Sequence, residues 1–197
     1  MSSLHKVFLD TIHEQRTFGV NGPAHQRLMA VQTTFADDIE VLNFALTLEH
    51  LEAAFYQLAP EYDLGTDAFG ISINDRVAEV GAHEVAHVDV LTQVITDLGG
   101  EPVAAAEYDF GVTDSLSFLN TAAVLENVGV SAYDGAAQFI ENADLLTAAG
   151  SIVAVEARHA SYLNLITGAS PFPASFETPL TPDEVLEAAG PFFVPAS

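Results

Sequence analysis

Residues 81–91 read GAHEVAHVDVL, a glutamate and two histidines in what should be the apolar middle of a helix. Read as a helix over roughly 73–98, Ile73, Val77, Val80, Glu84, His87, Leu91, Val94 and Leu98 alternate steps of four and three. That is the rhythm of a buried seam. Glu84 and His87 then hold successive core positions, where an uncompensated charge costs on the order of several kcal/mol. Something must compensate their burial.

The same alternation recurs on either side. Phe35, Ile39, Leu42, Leu46, Glu49, Ala53 and Tyr56 form one seam, ended by Pro60 and the glycines of APEYDLGTDAFG. Leu116, Leu119, Ala123, Glu126, Val130, Tyr133, Ala137 and Ile140 form another, with Thr113 or Asp114 as its cap. Leu145, Ala149, Ile152, Glu156, His159, Leu163 and Ile166 form the last, which Gly168 ends. Strand signals are weak throughout. The chain therefore reads as all-α: a four-helix bundle over residues 35–167, with short extensions over 1–34 and 168–197. Few residues separate the third and fourth helices, which predicts a tight antiparallel hairpin. GGEPVAAAEYDFGVTD, between the second and third, is long for a simple turn. In the tail, TPDEVLEAAG predicts a short helix with Thr181 as N-cap, Pro182 first, Glu184 completing a capping box and Gly190 closing it.

Each seam is interrupted near its centre: by Glu49, by Glu84 with His87, by Glu126, and by Glu156 with His159. Glu-x-x-His sets two ligands about one turn apart on one face, able to grip a single ion. Four glutamates and two histidines meeting in a core would carry about four negative charges, close to what two divalent cations neutralise. Metal makes the burial tolerable. Carboxylate and imidazole donors with open positions suit iron or manganese, and such a pair can cycle between oxidation states with oxygen or peroxide as oxidant.

A second repetition sets LEHLEAAFY beside LENVGVSAY, with Glu49 and Tyr56 spaced like Glu126 and Tyr133. These tyrosines either hydrogen-bond a ligand carboxylate or simply fill the core. Glu52 lies one turn beyond Glu49, on a flanking stripe with Leu48 and Phe55. Seam position makes Glu49 the inward carboxylate and Glu52 an outer neighbour of the cluster. His83, off the seam, reads as a surface residue, and His5, His13, His25 and His50 lack aligned partners. Gly129, Gly135 and Gly150 inside helices each cost about 1 kcal/mol relative to alanine, which close helix approach around the site would offset. No catalytic residue is assigned.

The order Glu, Glu-x-x-His, Glu, Glu-x-x-His across four helices with a long middle connection resembles the ferritin-like di-iron carboxylate superfamily. LNFALTLEHLEAAFY, together with the tail FETPLTPDEVLEAAGPF, looks more narrowly like the desiccation-related ferritin-like proteins. The resemblance implies a ferritin-like bundle and metal ligands at Glu49, Glu84, His87, Glu126, Glu156 and His159. It places tyrosines near the metal at Tyr56 and Tyr133, and implies two metal ions, iron first and manganese second. An oxidoreductase of ferroxidase or catalase type follows as the expectation, binding and oxidising Fe(II) or consuming oxygen or peroxide in stress protection.

Charge bounds the partners. The 28 acidic residues face only 5 basic ones, for a net charge of -23, which repels phosphate backbones and anionic membranes. Such a surface suits a high-salt cytosol, where screening relieves self-repulsion. No apolar run approaches the roughly 18 residues of a membrane helix, and MSSLHKVFLDTIHEQRTFG lacks a signal-peptide stretch, so a cytoplasmic protein is expected. There are no cysteines, which excludes disulfides, zinc thiolates and iron-sulfur clusters. The charge also sustains a rival expectation, a non-catalytic protectant whose acidic surface holds water during drying or salt stress. A third is a storage-cage subunit, and so a homo-oligomer.

Overall fold

The computed structural model describes residues 35–195, so the expected N-terminal extension lies outside the described residues. Four long helices carry the fold: α1 (Asp38–Tyr56), α2 (Ile73–Asp97), α3 (Ser115–Ala136) and α4 (Ala143–Thr167). A short α5 (Pro182–Ala189) follows in the tail. Among the described residues there are no strands, only two isolated bridges. No described helix is long and apolar enough to cross a membrane.

Each helix starts where a side chain can accept from an orphan backbone N–H. Asp37 caps α1, Ser72 caps α2, Asp114 caps α3 with Ser117 reciprocating, and Asn142 caps α4. Gly168 ends α4 in the left-handed conformation at φ 86, which a side chain would disfavour. The Thr181–Glu184 capping box forms as the sequence predicts. Gly190 is the C-cap of α5 as expected, right-handed rather than left-handed, and opens the 3-10 turn Gly190–Phe192. The third helix likewise yields to a 3-10 turn, Ala137–Phe139, before Ile140.

α1 and α2 run antiparallel, with Ile39 against Gly100 and Tyr56 against Gly81. α1 and α3 are also antiparallel, since Tyr56 meets Glu126 while Glu49 meets Tyr133. α2 and α3 therefore point the same way, and their connection must return along the bundle. It climbs beside α1. Asn43 binds both Glu101 and Val103, His50 faces the Val103 carbonyl at 3.1 Å, and the Tyr62 hydroxyl donates to the Val112 carbonyl at 3.3 Å. α3 and α4 are clamped by reciprocal amide bonds between Asn127 and Asn164 at 2.9 and 3.2 Å.

Two apolar clusters flank the acidic residues. The larger centres on Phe55 stacked against Phe118 at 4.7 Å and includes Tyr56, Val77 and Leu163. The smaller contains Leu42, Leu46, Leu91, Ile95, Tyr133 and Ile152. Some seam positions depart from expectation at the helix ends. Ile95 is buried where Leu98 is 43% exposed, because a strict seam drifts around a 3.6-residue helix. Leu116 is 67% exposed while Phe118 takes the core position. α1 differs more deeply: with α2, α3 and the returning connection around it, Leu48, Leu51, Glu52 and Phe55 are buried along with its seam.

The tail seats on α3. Leu180 N–H donates to the Ser131 carbonyl at 3.0 Å, the Ser131 hydroxyl donates to Glu177 at 3.0 Å, and Val185 is fully buried. Gly135 thus makes room for the tail rather than for the acidic cluster, and nothing approaches Gly150. Those two expectations are corrected: only Gly129 of the three lies at the site.

Candidate metal centre

The four helices deliver their interrupting residues to one interior point. Glu49 comes from α1, Glu84 and His87 from α2, Glu126 from α3, and Glu156 and His159 from α4; none is more than 8% exposed. They fall into two groups whose donor atoms lie within 4.8 Å of one another: Glu49, Glu84, His87 and Glu156, and Glu84, Glu126, Glu156 and His159. Glu84 and Glu156 belong to both. Sequence spacing alone set these two at matching places in the two Glu-x-x-His pairs, and the fold makes them the shared members.

The distances show a packing that protons satisfy poorly. His87 Nδ1 lies 3.2 Å from Glu49, 3.1 Å from Glu84 and 3.1 Å from Glu156. His159 Nδ1 lies 3.0 Å from Glu84 and 3.2 Å from Glu126. One ring nitrogen carries at most one proton, so it cannot donate to three carboxylates at once. Glu84 Oε1 and Glu156 Oε1, though within reach of these nitrogens, and Glu156 Oε2 are buried without an aligned hydrogen bond. Donors about 3 Å apart are what neighbouring ligands of one ion show when each stands about 2.1 Å from it. The residues present fit a pair of metal ions.

Residues 37–169 match the family profile described as a ferritin-like domain. The chain belongs to that family. Among solved structures it is similar to a conserved hypothetical protein, rv2844, from Mycobacterium tuberculosis, with 24% sequence identity and a TM-score of 0.56. That similarity covers 69% of this chain and 94% of the other, and it bears on the fold alone. No curated protein matches the sequence.

In this ferritin-like protein the repeated tyrosines exchange partners between halves. The Tyr56 hydroxyl donates to Glu126 Oε1, and the Tyr133 hydroxyl donates to Glu49 Oε1. Both tyrosines are buried, and both hydroxyls are held far above the ordinary phenol range, by burial first and then by the facing glutamate. The helix approach that positions Tyr56 depends on Gly81, where a Cβ would stand 2.8 Å from the Tyr56 Cβ.

Glu52 lies deeper than a flanking stripe implies. Only 3% exposed, it lies inside the bundle, because α1 is enclosed on nearly all sides at this height. A Cβ on Gly129 would stand 2.9 Å from Glu52 Oε1 and 3.4 Å from Glu156 Oε2, so that glycine leaves room for both carboxylates. Burial first, then the charges of Glu156 and Glu126, push the Glu52 carboxyl well above its usual range.

His83 is exposed as expected, yet it is not idle. Its Nδ1 is 2.9 Å from His159 Nε2, and the two rings stack at 5.2 Å. The outward nitrogen of a metal-ligating histidine normally has such a partner, which fixes the ring. No spacing signal marks His83, because only the approach of α4 creates the contact. An opening lined by His83, Ala86, His87, Val155, Arg158 and His159 leads from the surface to the histidine side of the cluster.

Electrostatics complete the picture. Burial pushes the Glu49 carboxyl up to about 8, with Glu156 and Glu84 adding to the rise and His87 opposing it. Burial raises Glu126 well above its usual range as well. Burial would also raise Glu84, but hydrogen bonding to His159 and His87 prevails and lowers it to about 2. Burial would lower both imidazoles, but their carboxylate neighbours hold His87 at about 12 and His159 at about 10. Raised carboxyls and raised imidazoles both mark a site where buried negative charge is offset only in part by protons.

Proposed function

We propose that the cluster binds two divalent metal ions, iron first and manganese second, and that the protein oxidises Fe(II) or consumes oxidants in stress protection. Glu49 and His87 would hold one ion, Glu126 and His159 the other, with Glu84 and Glu156 serving both. The observation that carries this reading is the pair of four-residue donor groups sharing two glutamates, with three buried carboxylate oxygens lacking an aligned hydrogen bond. When bound, such ions pass electrons to dioxygen or peroxide. The chain's own part is to place the donors, to exclude bulk water by burying them, and to hold Glu49 and Glu126 by the two tyrosine hydroxyls. The same donor set would serve a manganese catalase-like activity.

The desiccation-related branch and a cytoplasm of high salt are the narrower setting we propose for it. A second reading, a protectant without redox chemistry, draws on the net charge of -23, which suits a surface that retains water.

Metal analysis of protein purified without chelator tests the reading. About two iron or manganese atoms per chain, lost when Glu84→Ala is combined with His159→Ala, is the expected result. No bound metal under any loading condition would leave the protectant. Oxygen or peroxide consumption after Fe(II) addition then tests the redox chemistry.

A further inference from the structure

The two apolar clusters differ in the side chains that build them. Beside Tyr56, the fully buried rings of Phe55 and Phe118 stack at 4.7 Å. Beside Tyr133 five alanines interrupt the larger apolar side chains: Ala45 from α1, Ala132 and Ala136 from α3, and Ala148 and Ala149 from α4. They leave an apolar cavity of about 40 Å³, walled also by Leu42, Leu91 and Ile152. Its polar contact is Tyr133, whose hydroxyl is already given to Glu49. Val90, 47% exposed, stands among the lining residues and gives the cavity a side toward the surface. None of its lining is shared with the opening beside His83.

Size and polarity together choose the occupant. A buried water needs two to four polar partners and roughly 10–15 Å³ of probe-occupied space. The volume here suffices, but the partners are missing. Benzene enters an apolar cavity of about 150 Å³, so an organic substrate is too large. A small apolar gas is what remains.

We propose that this cavity docks dioxygen and delivers it to the Tyr133–Glu49 face of the cluster. The delivery role rests on the oxidation reading given above; the binding of gas does not. The alanines are then a functional gap in the packing, since larger side chains at those positions would fill the space and gain apolar contact.

The test uses metal-free, full-length protein. Crystals under xenon pressure should show xenon among Leu42, Leu91 and Ile152. In solution under dioxygen pressure, the methyls of those residues should relax several-fold faster than those of Leu163, which lies in the larger cluster. Ala149→Leu and Ala45→Leu, made separately, should each abolish both signals. Ordered water in the cavity, no xenon there, or methyl relaxation equal to that of Leu163 would overturn the proposal. Gas binding without Fe(II) oxidation in the loaded protein would keep the pocket and remove the function proposed for the centre. Fe(II) oxidation at an unchanged rate in a variant that excludes gas would overturn delivery.

Discussion

The carbonyl oxygen of Leu180 lies directly over Gly135, where a Cβ would come to 1.8 Å from it. Backbone meets backbone there, so neither side can swing aside as a long side chain would. Gly135→Ala must therefore lift the tail from α3 or distort the helix, at about 1–3 kcal/mol. The expected result is a lower urea midpoint and faster proteolysis between residues 168 and 181, with metal content retained. Unchanged proteolysis and midpoint would show that the tail is not seated there.

Tyr133→Phe leaves Glu49 without its hydroxyl donor. The loss of such an outer partner lowers metal affinity by about 10–100-fold. Competition with a chelator measures it, and Tyr56→Phe should produce a comparable loss through Glu126. Unchanged affinity in both would mean that the tyrosines only fill space.

Glu84 and Glu49 should differ in what their removal takes away. Glu84 belongs to both donor groups and Glu49 to one. Glu84→Gln is expected to abolish bound metal, whereas Glu49→Gln should leave about one ion per chain on Glu126 and His159. Equal losses in the two variants, read by elemental analysis, would contradict the shared arrangement.

Acidity should act in opposite directions on metal-free and loaded protein. Glu49 rises in the fold from 4.5 to about 8, so the stability it contributes is present below pH 4.5 and is lost as pH climbs through 8. His87, raised from 6.5 to about 12, and His159, raised to about 10, extend that loss above pH 6.5. Glu84, lowered to about 2, acts oppositely and gives up its stability as pH falls from 4.5 through 2. The metal-free protein should thus melt highest near pH 4–5 and progressively lower toward pH 8. Metal requires deprotonated ligands, so the stabilisation gained on loading should grow over the same interval. Thermal melts with and without Mn(II) decide it; a metal-free melting point that rises from pH 5 to 8 would contradict the assignment.

Much of the bundle could be read from residue spacing, because acids and imidazoles that replace apolar residues keep the seam's step of four and three. Glu84, His87, Glu156 and His159 were legible for that reason. Glu52 was not, since an amphipathic reading grants each helix one buried face and α1 is enclosed on nearly all sides. His83 escaped because its contact lies between helices that are far apart in sequence. The length of the connection after Gly99 told against a simple turn, but its course along Asn43, His50 and Tyr62 depends on polar contacts that carry no period. Gly135 and Gly150 look alike in sequence, and only the position of the tail separates them.

The crossed tyrosines bear on the protein's assembly. Neither hairpin holds the hydroxyl for its own first glutamate: Tyr56 serves Glu126, and Tyr133 serves Glu49. Two fragments cut within the returning connection would each expose a half-built, acid-lined groove and find in the other its missing complement. Each half of the interior is thus completed by a hydroxyl from the other, which ties the two hairpins to one another at their polar centre.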